Sequence, residues 1–301
     1  MVRISSKLLL VTLLCFGSVQ SAVAKLNVFA CEPEYKALMN ELAPNAKVYS
    51  ATTAMQDPHM IQARPSLIAK LRRADLLVCA GAELEVGWLP MLQMKAANSA
   101  VRNANTGLFF GTDHIETLDK LDKVDRSMGD VHAQGNPHIQ FDPYRLLQVA
   151  DALHQRLIKL DPEHQTEYQQ NFANFKQRWT QAIKGWEKKA APLKGKQVIA
   201  YHSTFRYLFN WLRIKQVGDL EPKPGLPPSS SHLASLLSLS NKEHVSAIVI
   251  TSYQDSKGGQ WLSKKTDIPF LQLPATVGAD NTQDLFQLYD TVIVKLNGAI
   301  Q

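Results

Sequence analysis

A chain of 301 residues, 45% hydrophobic and 20% charged, has an ordinary globular composition and enough length for two cores. Its formal charge of +6 is not gathered into any basic run with interleaved aromatics, so no nucleic-acid partner is indicated.

The first 24 residues belong to neither core. Arg3 and Lys7 precede an apolar run from Leu8 to Phe16, and Ala22-Val23-Ala24 has the small-x-small form of a signal peptidase site. The run is too short to span a bilayer. A secretory signal cleaved after Ala24 is expected, so the mature chain is exported. A lipid anchor on Cys15 is the lesser alternative, because Leu14 stands where a lipobox wants a small residue. Without Arg3 and Lys7 the formal charge falls from +6 to +4.

The N-terminal lobe is expected over residues 25–160. "KLNVFACEP" reads as a buried strand with no polar alternation. "EYKALMNELA" has helical spacing, "AKVYSAT" is a second strand, and "ARPSLIAKLRRA" is a helix with Pro65 near its start. "DLLVCAG" is a third strand, "VGWLPMLQMKAA" a helix, and "GLFFG" a further short strand. This β-α rhythm indicates a parallel sheet covered on both faces. Cys31 and Cys79 close two of the strands. Export permits a disulfide between them, but two buried thiols are the simpler expectation. Residues 112–134 are polar and carry His114 and His132, and a loop this long inside a compact domain is often functional. "FDPYRLLQVADALHQRLIKLD" then opens a helix with Asp142 as N-cap and Pro143 at N1.

Residues 161–190 form one long helix. Tyr168, Phe172, Phe175 and Trp179 recur at helical spacing with charges between them, as suits a rod joining two lobes. The β-α rhythm restarts over residues 191–301, through the strands "KQVIAYH", "IKQVGDL", "VSAIVIT" and "PFLQLP". "DLFQLYDTVIVKLNGAI" closes the chain as a helix. The fold class is therefore α/β: two lobes, each a mainly parallel sheet flanked by helices, joined by one long rigid helix. No repeat is legible between the halves.

Of nine histidines, three stand at the edges of rigid loops. His59 follows Asp57-Pro58, His138 follows Asn136-Pro137, and His202 ends the run "VIAYH". Proline fixes its own φ and biases the residue before it, so a histidine placed after such a turn loses little backbone freedom on binding. In open α/β sheets ligands bind beyond the carboxyl ends of strands. The three can thus face one interlobe cleft as metal ligands, or be unrelated surface and capping residues. His154 and His164 read as solvated helix positions, and Glu34 as a capping or solvated carboxylate.

In these segments the chain resembles the periplasmic metal-binding proteins of zinc and manganese ABC importers, which implies a periplasmic location. The likeness rests on "DPH" at 57–59, "NPHIQFDP" at 136–143 and "AYHSTFRYL" at 200–208. "ADLLVCAGAELEVGWLP" and "LEPKPGLPPSSSHLASLL" add to it. It implies two α/β lobes bridged by a long helix, with His59, His138 and His202 as metal ligands. It also implies a carboxylate from the loop after the last strand. That loop has Ala275 and Thr276 where the acid is expected, so Asp280 is taken as the fourth ligand, with water as the alternative and Asp284 as a helix cap. Gln140 stands where the family often has an aromatic residue.

The cargo implied is Zn2+, since a nitrogen-rich tetrahedral site favours zinc over manganese; Mn2+ is the alternative. The partners implied are a membrane ABC permease with its ATPase and a periplasmic metallochaperone, with the protein itself a monomer. A secreted zinc metalloenzyme is the competing function. It lacks a convincing general base and any HExxH helix, so no enzymatic activity is expected.

Overall fold

The computed structural model describes residues 25–300 apart from 126, 127 and 130. The signal segment and its cleavage site lie outside the described residues.

The N-terminal half runs β1 (Asn27–Ala30), α1 (Pro33–Leu42), β2 (Lys47–Ser50), α2 (Pro65–Arg72), β3 (Leu76–Cys79), α3 (Leu89–Ala96) and β4 (Leu108–Phe110). Two long helices follow, α4 (Pro143–Leu160) and α5 (Gln165–Ala190). The second half runs β5 (Gln197–Ala200), α6 (Arg206–Leu212), β6 (Lys215–Asp219), α7 (Ser230–Ser240), β7 (Val245–Thr251), α8 (Lys257–Thr266) and β8 (Phe270–Leu273). A short extended piece, β9 (Val277–Asp280), lies outside both sheets and precedes α9 (Leu285–Ala299).

The sheet orders are β2-β1-β3-β4 and β6-β5-β7-β8, with every neighbouring pair parallel. The halves therefore share one topology although no sequence repeat announces it. In each, the order reverses beside the first strand, which opens a crevice at the carboxyl ends of the strands. Helix starts follow local chemistry. Asp142 Oδ1 accepts the N–H groups of Tyr144 and Arg145 at 3.0 Å, and Asp284 accepts that of Gln287 at 2.8 Å. No helix among the described residues is long and apolar enough to cross a membrane.

One apolar cluster takes in the inner faces of both sheets, α1, α4, α5 and α9. Helix α5, 26 residues or about 39 Å long, runs through it and contributes Phe175, Trp179 and Trp186. Trp186 stacks on Tyr289 of α9 at 4.6 Å between ring centroids, and Trp179 Nε1 donates to Pro143 O at 2.8 Å. Two smaller clusters cover the outer faces of the sheets. His154, expected on a solvated face, is buried and stacks on Phe172 at 4.0 Å. An imidazole offers a flat, largely apolar ring to such a position.

Cys31 and Cys79 are joined as a disulfide, with Cα atoms 4.8 Å apart. This corrects the expectation of two separate thiols. Because β1 and β3 are parallel neighbours and Cys31 N donates to Val78 O at 2.8 Å, the two positions fall side by side. The bridge crosses the crevice of the first sheet.

Next to the disulfide lie three buried carboxyls, Glu32, Glu34 and Glu85. Glu85 Oε1 accepts Ala80 N at 2.8 Å, and Glu32 Oε2 accepts the same N–H at 3.3 Å. Burial pushes Glu85 up to about 7 and Glu34 up to about 7. Burial, reinforced by the neighbouring acids, pushes Glu32 well above the ordinary carboxylate range. Glu34, expected as a capping or solvated carboxylate, is buried and accepts a hydrogen bond from Thr276 Oγ1 at 2.5 Å.

Two outcomes are expected. A 48-residue separation gives the disulfide a loop-closure contribution of about 4 kcal/mol. Cys31→Ala/Cys79→Ala should then lower stability by about 2–4 kcal/mol in urea titrations. The carboxyls bind protons in the folded state that the unfolded chain has released, so they favour folding below about 4.5 and that contribution fades as pH rises to about 7. Glu32→Gln should raise Tm at pH 8 by about 2–4 °C, with the gain vanishing toward pH 4.5. A difference independent of pH would show that Glu32 takes up no proton on folding.

Candidate metal centre

Asp57-Pro58-His59 and Asn136-Pro137-His138 are the same device. Asp57 Oδ1 accepts the His59 backbone N–H at 3.0 Å, and Asn136 Oδ1 accepts that of His138 at 2.9 Å. Each is a turn in which an Asp or Asn side chain holds the backbone two residues on, with proline stiffening the middle. Both turns are anchored from outside. Trp88 Nε1 donates to Pro58 O at 2.9 Å, and Asn136 Nδ2 donates to Ser203 O at 2.9 Å. His202 follows β5 directly, beyond the carboxyl end of the strand at the crevice of the second sheet.

The three rings form a nearly equilateral triangle. Centroid separations are 5.6 Å (His59–His138), 5.8 Å (His59–His202) and 5.9 Å (His138–His202). The rings stand at 65°, 89° and 86° to one another. One donor nitrogen from each lies within 4.8 Å of the others.

Their protonation is arranged for ligation. His59 Nδ1 contacts Asp57 Oδ1 at 2.7 Å, and His202 Nδ1 contacts Glu221 Oε2 at 2.8 Å. A carboxylate can only accept here, so each Nδ1 carries the proton and each Nε2 presents a lone pair. His138 is 2% exposed and its Nε2 has no hydrogen-bond partner. Burial, with the neighbouring histidines adding to it, holds its ring well below the ordinary imidazole range and therefore neutral. An orphaned nitrogen that deep is costly unless a cation meets it. The donor set fits a borderline-soft divalent ion.

Asp280 is not brought to this triangle. It sits in a tight turn closed by Gly278 N donating to Thr282 O at 3.0 Å, with φ +51° at Asp280 and +61° at Asn281. Its carboxylate pairs with Lys295 Nζ at 2.5 Å. The loop expected to supply the fourth ligand forms a hydrogen-bonded corner here. Earlier in the loop, Ala275 O accepts from Gln140 Nε2 at 3.1 Å, and the Thr276 hydroxyl is taken by Glu34.

His132 reaches one corner of the triangle, at His59. Its ring stacks on His59 at 5.2 Å, with the two Nε2 atoms 3.2 Å apart. Burial lowers its pKa to about 4, so it too is neutral. Its loop companion His114 stacks on Phe109 instead, at 4.5 Å. Asp57 and Glu221, the partners of two imidazoles, are not evident from sequence; the signal is an acid two residues before one histidine and another two residues after β6.

Two grooves meet at His59. One of about 310 Å³ is also lined by Asp57, His202 and Glu221, and one of about 520 Å³ by Glu83 and His132. A second grouping of donor types, Cys31, Cys79 and Glu85, has its sulfurs consumed by the disulfide.

Residues 28–299 match the model of a family described as "ZnuA: Zinc-uptake complex component A periplasmic". The high-affinity zinc uptake system protein ZnuA of Yersinia pestis is 26% identical over 188 residues, covering 58% of this chain and 59% of that protein. The metal ABC transporter substrate-binding lipoprotein SloC of Streptococcus mutans is 24% identical over 275 residues, covering 88% of this chain and 87% of that protein. A crystal structure of ZnuA superposes with a TM-score of 0.78 at 18% identity, over 92% of this chain and 100% of that one. The chain belongs to the ZnuA family, the extracytoplasmic metal-binding components of ABC importers.

Proposed function

We propose that this protein captures a divalent cation, Zn2+ foremost, between its two lobes through His59, His138 and His202. The observation that carries the reading is the triangle itself. Two imidazoles have their tautomers fixed by carboxylates, and the third points an unpartnered, deeply buried nitrogen at the same space. The captured ion passes to a membrane permease driven by an ATPase, as the family membership implies. The chain reaches the periplasm through a signal cleaved after Ala24 and works as a monomer, loaded directly or by a metallochaperone.

Zinc is favoured over manganese by the way the acids are used. Asp57 and Glu221 are spent on imidazole N–H groups, so the inner donors are nitrogens, while manganese prefers oxygen ligands. Binding without turnover is favoured because Glu34 is tied to Thr276 and Glu85 to backbone amides.

The purified mature chain should bind one Zn2+ and gain thermal stability from it. His59→Ala, His138→Ala and His202→Ala should each weaken binding by about a hundredfold or more in chelator competition. His244→Ala, exposed and far along the chain, should leave affinity unchanged. Manganese should compete poorly. Wild-type affinity in all three variants would overturn the site, and tighter binding of Mn2+ than of Zn2+ would overturn the cargo.

A further inference from the structure

We propose that Cys31, Cys79 and Glu85 become a second, fully buried metal site when a dithiol opens their disulfide, taking one thiophilic divalent ion such as Zn2+ or Cd2+. The inference is independent of the three-histidine site, which has no sulfur donor.

The first observation is the size and place of the grouping. The two sulfurs and one oxygen of Glu85 lie within 4.8 Å of one another. Two thiolates about 2.3 Å from a tetrahedral ion stand about 3.8 Å apart, with a carboxylate ligand about 3.5 Å from each. The three donors therefore already share the dimensions of one coordination shell. Cys31 follows β1 and Cys79 ends β3, so both lie at the carboxyl ends of paired strands. The chain then doubles back through φ +84° at Gly81, +45° at Ala82 and +67° at Glu83. Left-handed backbone at two non-glycine residues is unfavourable unless the surroundings impose it. Here the Glu85 carboxylate imposes it, accepting Ala80 N at 2.8 Å and Gly81 N at 3.2 Å. The same turn lets Glu83 accept Ala133 N at 2.8 Å from the loop between β4 and α4. Glu85 is thus returned to the end of β3, beside the sulfurs.

The second observation is an oxygen without a partner. Glu32, next to Cys31 in the chain, is 2% exposed. Its Oε2 accepts Ala80 N at 3.3 Å and its carboxyl hydrogen-bonds Glu85, while Oε1 has no hydrogen-bond partner. A buried acceptor left open is costly. A cation held by Glu85 gives this oxygen a positive charge to face.

The third observation is charge balance. A disulfide carries no net charge, and neither do two thiolates with a dication between them. Exchanging one for the other leaves the buried charge of the region unchanged, so it avoids the desolvation cost of an unbalanced ion. The dithiol gives the bridge two electrons and two protons and leaves as its own disulfide. Cys31 and Cys79 become thiols, and each releases its proton to solvent as its sulfur–metal bond forms. All three donors are buried, so the ion enters as the reduced chain folds around it. Thiolates select thiophilic ions over hard ones.

The test uses the full mature chain, opened in urea with dithiothreitol, refolded and freed of reductant without air, with Zn2+ and Co2+ as probes. The reduced chain should bind one Zn2+ more than the oxidised chain. With Co2+ in its place, the extra ion should show sulfur-to-cobalt charge-transfer absorption. That absorption should persist in reduced His59→Ala/His138→Ala and vanish in Cys31→Ser/Cys79→Ser. In the His59→Ala/His138→Ala background, Zn2+ should raise the Tm of the reduced chain and leave that of the oxidised chain unchanged. Reduced Glu85→Gln should hold the extra ion at least about tenfold more weakly, the loss that even an outer-shell partner causes. Equal stoichiometry in oxidised and reduced wild type, or an extra ion without sulfur absorption, overturns the proposal. A reduced chain that stays unfolded with Zn2+ present overturns it too.

Discussion

Everything at the centre of this molecule depends on how residues 136–142 are held between the two sheets. Tyr207 Oη donates to Asn136 O at 2.9 Å, and Tyr289 Oη donates to Gln140 O at 2.7 Å. Asn136 and Gln140 in turn donate their side-chain amides to Ser203 O and Ala275 O in the second half of the chain. The segment is thus satisfied as fully as a strand in a sheet, although it belongs to none. His138 sits in its middle with every neighbour fixed. That allows an imidazole nitrogen to remain buried and unpaired, a position a looser loop would relieve by turning the ring to solvent. Gln140 gains its place here: a planar amide can bridge to Ala275 where an aromatic ring could only pack.

The same economy runs through the carboxylates. Around the cleft the protein uses its acids in two ways. Asp57 and Glu221 sit behind imidazoles and set their tautomers. Glu32, Glu34 and Glu85 sit behind the backbone and set its path. On the proposed reading, a dication would meet imidazoles whose basicity is raised from behind.

Much of the architecture was legible because it obeys period and punctuation. The β-α rhythm, the N-cap at Asp142, the cap at Asp284 and the long aromatic helix all follow from local rules that the packing does not override. His59, His138 and His202 were legible because proline or a strand end marks each of them. What escaped notice depends on three-dimensional neighbours. The pairing of Cys31 with Cys79 is a matter of sheet order, and β1 and β3 become adjacent only once β2 goes to the outside. Glu34 looks like a first-turn helix acid and is buried only because Thr276 arrives from 242 residues away. His154 looks solvated until Phe172 of the next helix covers it. Asp280 looked free because sequence does not show Lys295 reaching back one helix to meet it. His132 looked like one more polar loop residue because the turn that aims it, residues 81–83, lies fifty positions upstream.

The continuous core bears on how the protein moves. Phe175, Trp179 and Trp186 of α5 are embedded in a cluster shared by both sheets, so bending one lobe away from the other would expose large aromatic surfaces to water. Hinge-type closure needs an interface that parts cheaply, and this one does not. Motion on the path of the ion is left to segments outside the core: a handful of hydrogen bonds around one loop and the turn beneath it. Such rearrangements belong to the nanosecond-to-microsecond range, well ahead of whole-domain rocking. On the proposed reading, the dwell time of a bound ion is a property of the bonds at its rim, and the two halves of the molecule serve as a nearly rigid frame in which those bonds are made and broken.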